Sequence, residues 1–145
     1  ENAIKVIKKN KNKNFSIMHC VSSYPAKVDE LNLSAIETLR KKFNCRVGWS
    51  DHSKNLGVIY RAIFKWNADL VEMHIDLDKK GAEFKSGHCW LPNELEKLIP
   101  SIKLARSSDG NGKKVPAKSE KNERLWRADP YDGIRPLKKI RKNFK

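Results

Sequence analysis

The strongest constraint on this chain is a repeated pattern in which a short apolar run is followed by an amphipathic helical stretch. The apolar runs are residues 15–21, 46–49 and 69–75, and each is short enough to be a strand buried on both faces. Strand and helix units of this length join into parallel strands with right-handed crossovers. The sequence therefore predicts an α/β fold built on a parallel sheet.

Apolar residues at helical spacing mark the stretches that follow these runs. The second stretch has Ser53 or Asn55 as its candidate cap. The third begins at Pro92, a favourable residue for a first helical turn, and is predicted to kink or split at Pro100. The residues with this spacing are Leu33, Ile36, Leu39 and Phe43, then Leu56, Ile59, Tyr60, Ile63 and Trp66, and finally Leu95, Leu98, Ile99 and Ile102.

A polar cluster stands at or near the end of each predicted strand, where α/β proteins place their chemistry. Because the carboxyl ends of parallel strands meet at one edge of a sheet, these clusters are expected to face a common site. Their members are His19, Ser22, Ser23, Tyr24, Ser50, Asp51, His52, Glu72 and His74.

Two histidines of these clusters, His19 and His52, could supply imidazole nitrogens to one divalent ion. Asp51 or Glu72 could then orient an imidazole ring without itself binding the ion. The alternative is that each histidine is a hydrogen-bonded structural residue. For His74 we favour this structural role, because its place in the strand could point the side chain outward.

The serines and aromatic residues of the clusters also have two interpretations each. The three serines could donate hydroxyl groups to phosphate oxygens, but serine is equally common in turns. Tyr24 could line a substrate pocket or simply pack. Trp49 and Trp90 are expected in the core rather than stacked on a ligand.

The stretch from Gly81 to His88 is predicted to be a loop, which either closes over a substrate or lies on the surface between glycine hinges. Cys20 and Cys89 each adjoin a histidine and so suggest zinc, but no Cys-x-x-Cys pair supports a zinc site. The three cysteines are an odd number without a close pair, so we expect reduced and buried thiols.

Basic residues outnumber acidic ones by 31 to 17, which gives a net charge of +14. The excess lies mainly in residues 5–13, 113–127 and 135–145, a distribution typical of solvated helix faces and tails. A basic nucleic-acid-binding module is the alternative. The chain has neither a zinc-finger spacing nor an aromatic RNA-binding signature, so nucleic acid is not the favoured partner.

Helical periodicity disappears after Arg106, so residues 106–145 are predicted to form an irregular basic tail. No apolar run approaches the roughly 20 residues of a membrane span, and no signal peptide is visible. We therefore expect a cytoplasmic protein without a membrane partner.

Two motifs resemble those of the sialic acid synthase (N-acetylneuraminate synthase) family. The first is His-Cys-x-Ser-x-Tyr-Pro at residues 19–25, and the second is Gly-x-Ser-Asp-His at residues 48–52. Val71-Glu72-Met73-His74 follows in the order found in that family. The resemblance covers roughly residues 1–135, and the order and spacing of the two motifs make it specific.

The resemblance implies a TIM-barrel enzyme that condenses phosphoenolpyruvate with an N-acylated hexosamine. It also implies a divalent metal, manganese or magnesium, which is held by His19 and His52 and polarises the aldehyde oxygen of the open-chain sugar. We assign catalytic roles to Asp51 and Glu72. The residues assigned to substrate binding are Ser22, Ser23, Tyr24 and Ser50.

A complete TIM barrel has eight βα units, and this chain offers three. By the resemblance they are strands 6–8, within residues 1–105, followed by a tail at 106–145 without the antifreeze-like domain of many bacterial members. The groups that hold phosphoenolpyruvate in the family lie on earlier strands, so this chain alone is expected to be inactive. The parent enzyme would be compatible with a homodimer. Another metal-dependent barrel enzyme, an aldolase or a hydrolase, is a further alternative.

Overall fold

A computed structural model of the chain describes residues 1–10 and 14–144. Residues 11–13, part of the first basic run, lie outside the described residues. The chain divides into two compact units, Glu1–Arg106 and Ser107–Lys145, which are described separately. Among the described residues, no helix is both long enough and apolar enough to cross a lipid bilayer.

The first unit is built on a three-stranded parallel sheet, in which β2 lies between β1 and β3. The strands are β1 (Ser16–Cys20), β2 (Arg46–Asp51) and β3 (Val71–Met73). His19 lies opposite Trp49, and Ser50 lies opposite Glu72. The predicted parallel α/β fold is confirmed, and the carboxyl ends of the strands share one edge. That these strands are the last three of a barrel stays a prediction.

One more parallel pairing extends the sheet beyond β3, through a bridge between Ile75 and Trp90. The Trp90 N–H donates to the His74 carbonyl at 2.8 Å, and the Asp76 N–H donates to the Trp90 carbonyl at 2.9 Å. The chain therefore returns to the carboxyl end of β3 after a loop. This return was not predicted from the sequence.

The helices of the first unit are α1 (Asn2–Lys9), α2 (Ala35–Phe43), α3 (Leu56–Tyr60), α4 (Ala82–Lys85) and α5 (Pro92–Ser107). Asn55 caps α3 by accepting the Val58 N–H at 3.3 Å, and a wider π-helical turn, Arg61–Lys65, continues that helix. Helix α5 runs through Pro100, so the predicted split is wrong. Pro100 is exposed, and the buried Leu98 anchors the helix to the core beside it.

The core of this unit lies between the sheet and its helices. Trp49 is fully buried and Trp90 is 3% exposed, which confirms the predicted place of both in the core. Burial of a large apolar side chain contributes roughly 1.5–3 kcal/mol, so this core firmly fixes β2. The other buried members include Leu31, Ile36, Val47, Ile59, Ala62 and Leu98.

Close packing explains why residue 48, in the middle of β2, is a glycine. A Cβ atom at this position would lie 2.8 Å from the Leu70 carbonyl oxygen and 2.8 Å from Met18 Cε. Both distances are shorter than real Cβ contacts, so a larger residue would push the neighbouring segments apart. The glycine of the second motif therefore keeps the sheet closely packed next to the polar cluster that follows it.

The second unit contains short helical segments where the sequence predicted an irregular tail. These are α6 (Glu120–Glu123) and α7 (Lys138–Arg141), each continued by a 3₁₀ turn, Arg124–Trp126 and Lys142–Phe144. Asp129 accepts the N–H groups of Tyr131 at 3.0 Å and Lys138 at 2.6 Å. Side-chain to backbone hydrogen bonds, rather than apolar periodicity, order this part of the chain, so its helices have no periodic signal in the sequence.

Candidate functional site

The turn after β2 is organised by the fully buried carboxylate of Asp51. Its Oδ1 accepts hydrogen bonds from Trp49 Nε1 at 3.1 Å and from Ser53 Oγ at 2.7 Å. Its Oδ2 accepts the Lys54 N–H at 3.0 Å. Because both oxygens are engaged by groups of the same turn, Asp51 holds the conformation that presents His52. The catalytic role assigned to Asp51 stays a prediction.

His52 is 3% exposed and is held by the loop that follows β1. Its Nδ1 lies 2.8 Å from the Val21 carbonyl oxygen and 3.9 Å from Cys20 Sγ. The Tyr24 ring lies over the imidazole with a centroid distance of 4.2 Å. Since a carbonyl oxygen can only accept, Nδ1 carries the proton, and Nε2 carries the lone pair of the neutral ring.

His19, on β1, is arranged in the same manner. Its Nε2 donates to the Leu31 carbonyl oxygen at 2.9 Å, and its ring lies 5.2 Å from the Trp49 ring. The lone pair is therefore on Nδ1. A metal-ligating histidine typically donates its other ring N–H to a carbonyl or a carboxylate. His19 and His52, called the carbonyl-held pair below, thus have the tautomers that a divalent ion needs.

The serines and the glutamate that were predicted to bind substrate or to act in catalysis have different surroundings. Ser50 Oγ donates to Glu72 Oε1 at 2.8 Å, with the glutamate exposed at the sheet edge. Ser23 Oγ donates to the Pro25 carbonyl at 3.1 Å, a bond internal to its turn, whereas Ser22 is exposed. The substrate-binding roles of these serines, and the catalytic role of Glu72, stay predictions.

Four side chains that the sequence analysis did not combine lie together beyond the end of β3. They are His74, Glu83, His88 and Cys89, called the His74 cluster below, and one possible ligand atom from each lies within 4.8 Å of all the others. His74 Nδ1 is 3.0 Å from Glu83 Oε2, and His88 Nε2 is 4.0 Å from the same oxygen. The described residues therefore include a group that could hold a metal ion.

Tyr24 lies between His52 and the His74 cluster. Its ring centroid is 5.5 Å from that of His74 and 5.1 Å from that of His88, in addition to its stacking on His52. The His52 and His74 rings are 5.0 Å apart, and the His74 and His88 rings 4.8 Å apart. Three histidines and one half-exposed tyrosine thus meet at this edge of the sheet.

Burial changes the acid–base behaviour of two members of the His74 cluster. Burial lowers the pKa of His88, and the neighbouring His74 lowers it further, so the ring is a neutral imidazole at neutral pH. Burial raises the pKa of the Cys89 thiol, and the nearby carboxylates of Glu83 and Asp76 raise it further. Cys89 is therefore a protonated thiol at neutral pH.

No sequence pattern links the members of this cluster, because they meet only through the bridge between Ile75 and Trp90. The one usable signal in the sequence is that His88 and Cys89 are adjacent. His88 is 2% exposed, so it does not belong to a plain surface loop. The expectation that all three thiols are buried is wrong for Cys20, which is exposed at the end of the edge strand β1.

The fold and the site together define a parallel α/β protein with histidines gathered at the carboxyl ends of its strands. The profile of the family described as the NeuB family matches residues 1–114, and the chain belongs to this family.

Named relatives agree with this assignment. The chain is 35% identical over 124 residues to the N,N'-diacetyllegionaminic acid synthase of Campylobacter jejuni, covering 83% of this chain and 36% of that protein. It is 31% identical over 122 residues to the N-acetylneuraminate-9-phosphate synthase of Homo sapiens, covering 81% and 33%. The resemblance to sialic acid synthases is confirmed, and the chain spans about a third of the length of these curated relatives.

A solved structure shows the same fold. The crystal structure of the N-acetylneuraminic acid (sialic acid) synthetase from Leptospira borgpetersenii serovar Hardjo-bovis, in complex with citrate, is similar to this chain with a TM-score of 0.66 and 36% identity. The similarity covers 84% of this chain and 42% of that one.

Proposed function

We propose that this chain is part of a synthase that condenses phosphoenolpyruvate with an N-acylated hexosamine, such as N-acetylmannosamine, to give a sialic-acid-type nonulosonic acid. Membership of the NeuB family and the names of the relatives support this proposal. The observation that carries it is the carbonyl-held pair, in which His19 and His52 each keep one ring nitrogen for a metal ion.

We propose His19 Nδ1 and His52 Nε2 as ligands of the divalent ion. The bound ion would supply Lewis-acid polarisation of the aldehyde oxygen of the open-chain sugar. Manganese or magnesium would complete its coordination with oxygen ligands, which both ions prefer. Both rings are oriented by backbone carbonyls, so they lose little freedom when an ion binds. Asp51 acts in this proposal as a positioning residue, since it fixes the turn that carries His52.

Carboxylate and hydroxyl groups at the carboxyl edge of the sheet would act in the remaining steps of the reaction. The enol carbon of phosphoenolpyruvate bonds to the aldehyde carbon, water adds to the resulting cationic carbon, and phosphate leaves. Glu72 is exposed and accepts a hydrogen bond from the Ser50 hydroxyl, and we assign it the proton released by that water. Ser22, Ser23 and Tyr24, at the end of β1, are assigned contacts to substrate oxygens.

The activity test uses a full-length parent enzyme that contains this chain. His19→Ala or His52→Ala is expected to abolish the metal-dependent release of phosphate from phosphoenolpyruvate and N-acetylmannosamine. Near-normal turnover in either variant would refute the ligand assignment. The 145-residue chain alone is expected to release no measurable phosphate. The same assay excludes the alternative of an aldolase or a hydrolase if phosphate release depends on the hexosamine.

Metal binding can be measured on the chain itself, by following the paramagnetic resonance signal of free Mn²⁺ during titration. His19→Gln and His52→Gln are expected to weaken Mn²⁺ binding by at least about 10-fold, since they remove ligands whose mere orientation is worth that much in other sites. Cys45→Ser, which changes a partly buried thiol, is the control and should retain Mn²⁺ binding. Equal losses in all three variants would contradict the assignment of the pair.

A second candidate function rests on the second unit, in which a cavity of about 760 Å³ has five basic residues in its lining. These residues are Lys118, Lys121, Arg124, Arg127 and Lys139. Such a surface favours the backbone of a nucleic acid. The test is binding of a labelled oligonucleotide at increasing salt, with Lys118→Ala and Lys121→Ala as variants. Binding that persists at physiological salt and falls in both variants would support it, whereas binding seen only at very low salt would count against it.

A further inference from the structure

We propose that the second unit, Ser107–Lys145, binds single-stranded rather than double-stranded nucleic acid, with Trp126 and Phe144 as the rings on which bases stack. This proposal rests on the second candidate function, because it specifies which form of nucleic acid the basic cavity accepts. It does not depend on the proposed synthase activity, whose residues all belong to the first unit.

The charge of the second unit suits a polyanion. Residues 107–145 contain twelve lysines and arginines against five aspartates and glutamates. Of the five basic residues in the lining of the cavity, only Arg127 forms an ion pair within the described part of the chain, with Glu120 at 2.7 Å. The other four cations can therefore bind phosphate groups, which are the main source of affinity for nucleic acid.

Two aromatic rings of the same unit are exposed and lie next to each other. Trp126 is 53% exposed and Phe144 is 67% exposed. Their ring centroids are 6.0 Å apart, with an angle of 53° between the ring planes. Neighbouring exposed apolar groups of this size mark a surface that binds a partner. Flat aromatic rings beside cations are what a nucleotide base and its phosphate require.

The cavity and the aromatic pair are built from the same two segments of the chain. One segment is α6 with the turn Arg124–Trp126, and the other is α7 with the turn Lys142–Phe144. The Leu137 N–H donates to the Leu125 carbonyl at 3.0 Å, so the two segments lie side by side. Each segment contributes cations to the cavity and one ring to the pair. A nucleic acid bound along these segments would thus meet both kinds of group.

Stacking is the reason for preferring a single strand. In a duplex the bases already stack on one another, whereas in a single strand each base offers its flat face to an aromatic side chain. The cations bind the phosphates of either form, so the aromatic pair makes the distinction. Helices α6 and α7 have only four residues each. They are too short to read the major groove of a duplex as a recognition helix does.

The experiment measures the fluorescence anisotropy of a labelled oligonucleotide as the 145-residue chain is added at physiological salt. The oligonucleotide has a mixed sequence of about 12 nucleotides, a length that small single-strand-binding domains occupy, and is used alone and annealed to its complement. We expect the chain to bind the single strand at least about 5-fold more tightly than the duplex, the smallest effect expected from one stacked base.

Trp126→Ala should remove this preference. It should weaken single-strand binding at least about 5-fold and leave duplex binding unchanged. Because Trp126 is half-exposed, the variant should fold normally. Trp126→Phe retains a ring and should retain most of the preference. Phe64→Ala changes a ring of the first unit that is 37% exposed, and it is the matched control that should bind both forms like the wild-type chain.

Lys121→Ala separates phosphate contacts from stacking. It should weaken binding of both forms by a similar factor and reduce the slope of log affinity against log salt concentration by about 1, whereas Trp126→Ala should not change this slope. Equal affinity for the two forms, or an unchanged preference in Trp126→Ala, would overturn the single-strand proposal and leave nucleic-acid binding in place. Absence of binding to either form at physiological salt would overturn both.

Discussion

The carbonyl-held pair and the His74 cluster lie at the same edge of one sheet, but their side chains are positioned in different ways. His19 and His52 each donate a ring N–H to a backbone carbonyl, so the main chain of a neighbouring segment fixes each ring. In the His74 cluster the partners are themselves side chains, Glu83 on a short helix and Ser86 just after it. The first region is built before a ligand arrives, whereas the second can rearrange around one.

This difference bears on metal binding. A catalytic ion needs few protein ligands and open positions for substrate, whereas a structural ion needs a closed set of ligands. The partners of the histidines, rather than their number, distinguish the two regions.

The largest effect is expected from Trp49→Ala, because this side chain supports both regions through β2. Trp49 is fully buried, contacts the His19 ring and donates to Asp51. The free energy of unfolding, measured by urea denaturation, should fall by about 3–5 kcal/mol. Trp126→Ala, at a residue that is 53% exposed, is the control and should change it by less than about 0.5 kcal/mol. Similar small changes in both variants would show that β2 is not the common support.

Asp51→Asn tests whether the turn after β2 positions His52. The amide places N–H donors where an oxygen now accepts from Trp49, Ser53 or Lys54, so one of these bonds is lost. The expected cost is about 1–3 kcal/mol in the free energy of unfolding, with weaker Mn²⁺ binding. Glu72→Gln, at an exposed position, is the stability control. Mn²⁺ binding at the wild-type level would show that this turn does not position His52.

Ser86→Ala makes the corresponding test for His88. It removes the hydroxyl that lies 3.0 Å from His88 Nδ1 and donates to the Glu83 carbonyl at 2.7 Å. The free energy of unfolding should fall by about 0.5–1.5 kcal/mol. Ser119→Ala, an exposed serine of the second unit, is the control and should not change it. A Ser86→Ala variant of unchanged stability would show that His88 needs no support from its own segment.

The smallest effect concerns Glu94, which joins the two regions. Its Oε2 accepts the Leu91 N–H at 2.8 Å and the Lys54 ammonium group at 3.2 Å, and so connects the start of α5 to the turn after β2. Burial raises the pKa of Glu94, but the Leu91 N–H and the Lys54 ammonium together outweigh it, and the net pKa is lowered from 4.5. Since the folded pKa lies below the unfolded value, the stabilisation is present above that value and is lost as the pH falls through the folded pKa.

Glu94→Gln should therefore lower the free energy of unfolding by only about 0.5–1 kcal/mol near neutral pH, because the side chain is 36% exposed and screened by salt. The difference from the wild-type chain should disappear as the pH falls below 4.5. Denaturation at several pH values measures it, with Glu96→Gln on the same helix as the control for lost charge. A difference that persists in acid would show that the glutamate acts through packing.

Apolar patterns predicted the parts of the fold that bury side chains. Ile36 and Ile59 lie on the faces that helical spacing marked, and Val47 and Trp49 fill the core from the strand predicted for them. These predictions succeeded because buried positions recur at a fixed spacing along a helix or a strand, and apolar residues show that spacing in the sequence. Helices α6 and α7 have no such period, since hydrogen bonds to Asp129 and its neighbours order their surroundings.

The candidate site was predictable only where a motif carried it. His19 and His52 belong to the two motifs, but their carbonyl partners, Leu31 and Val21, are 12 and 31 residues away, and no local pattern links them. His88 was missed for the same reason, because its place beside His74 follows from one bridge at Trp90. Contacts that form only where the chain comes back to the sheet leave no periodic pattern in the sequence.

The edge position of β1 has a practical consequence. Among residues 1–10 and 14–144, β1 pairs with β2 alone, so its other side presents a row of backbone donors and acceptors. Such a row is a template on which another extended segment can add. Purified on its own, the chain is therefore expected to self-associate through β1 at high concentration. Any biophysical measurement of its metal sites should first establish the concentration at which it remains monomeric.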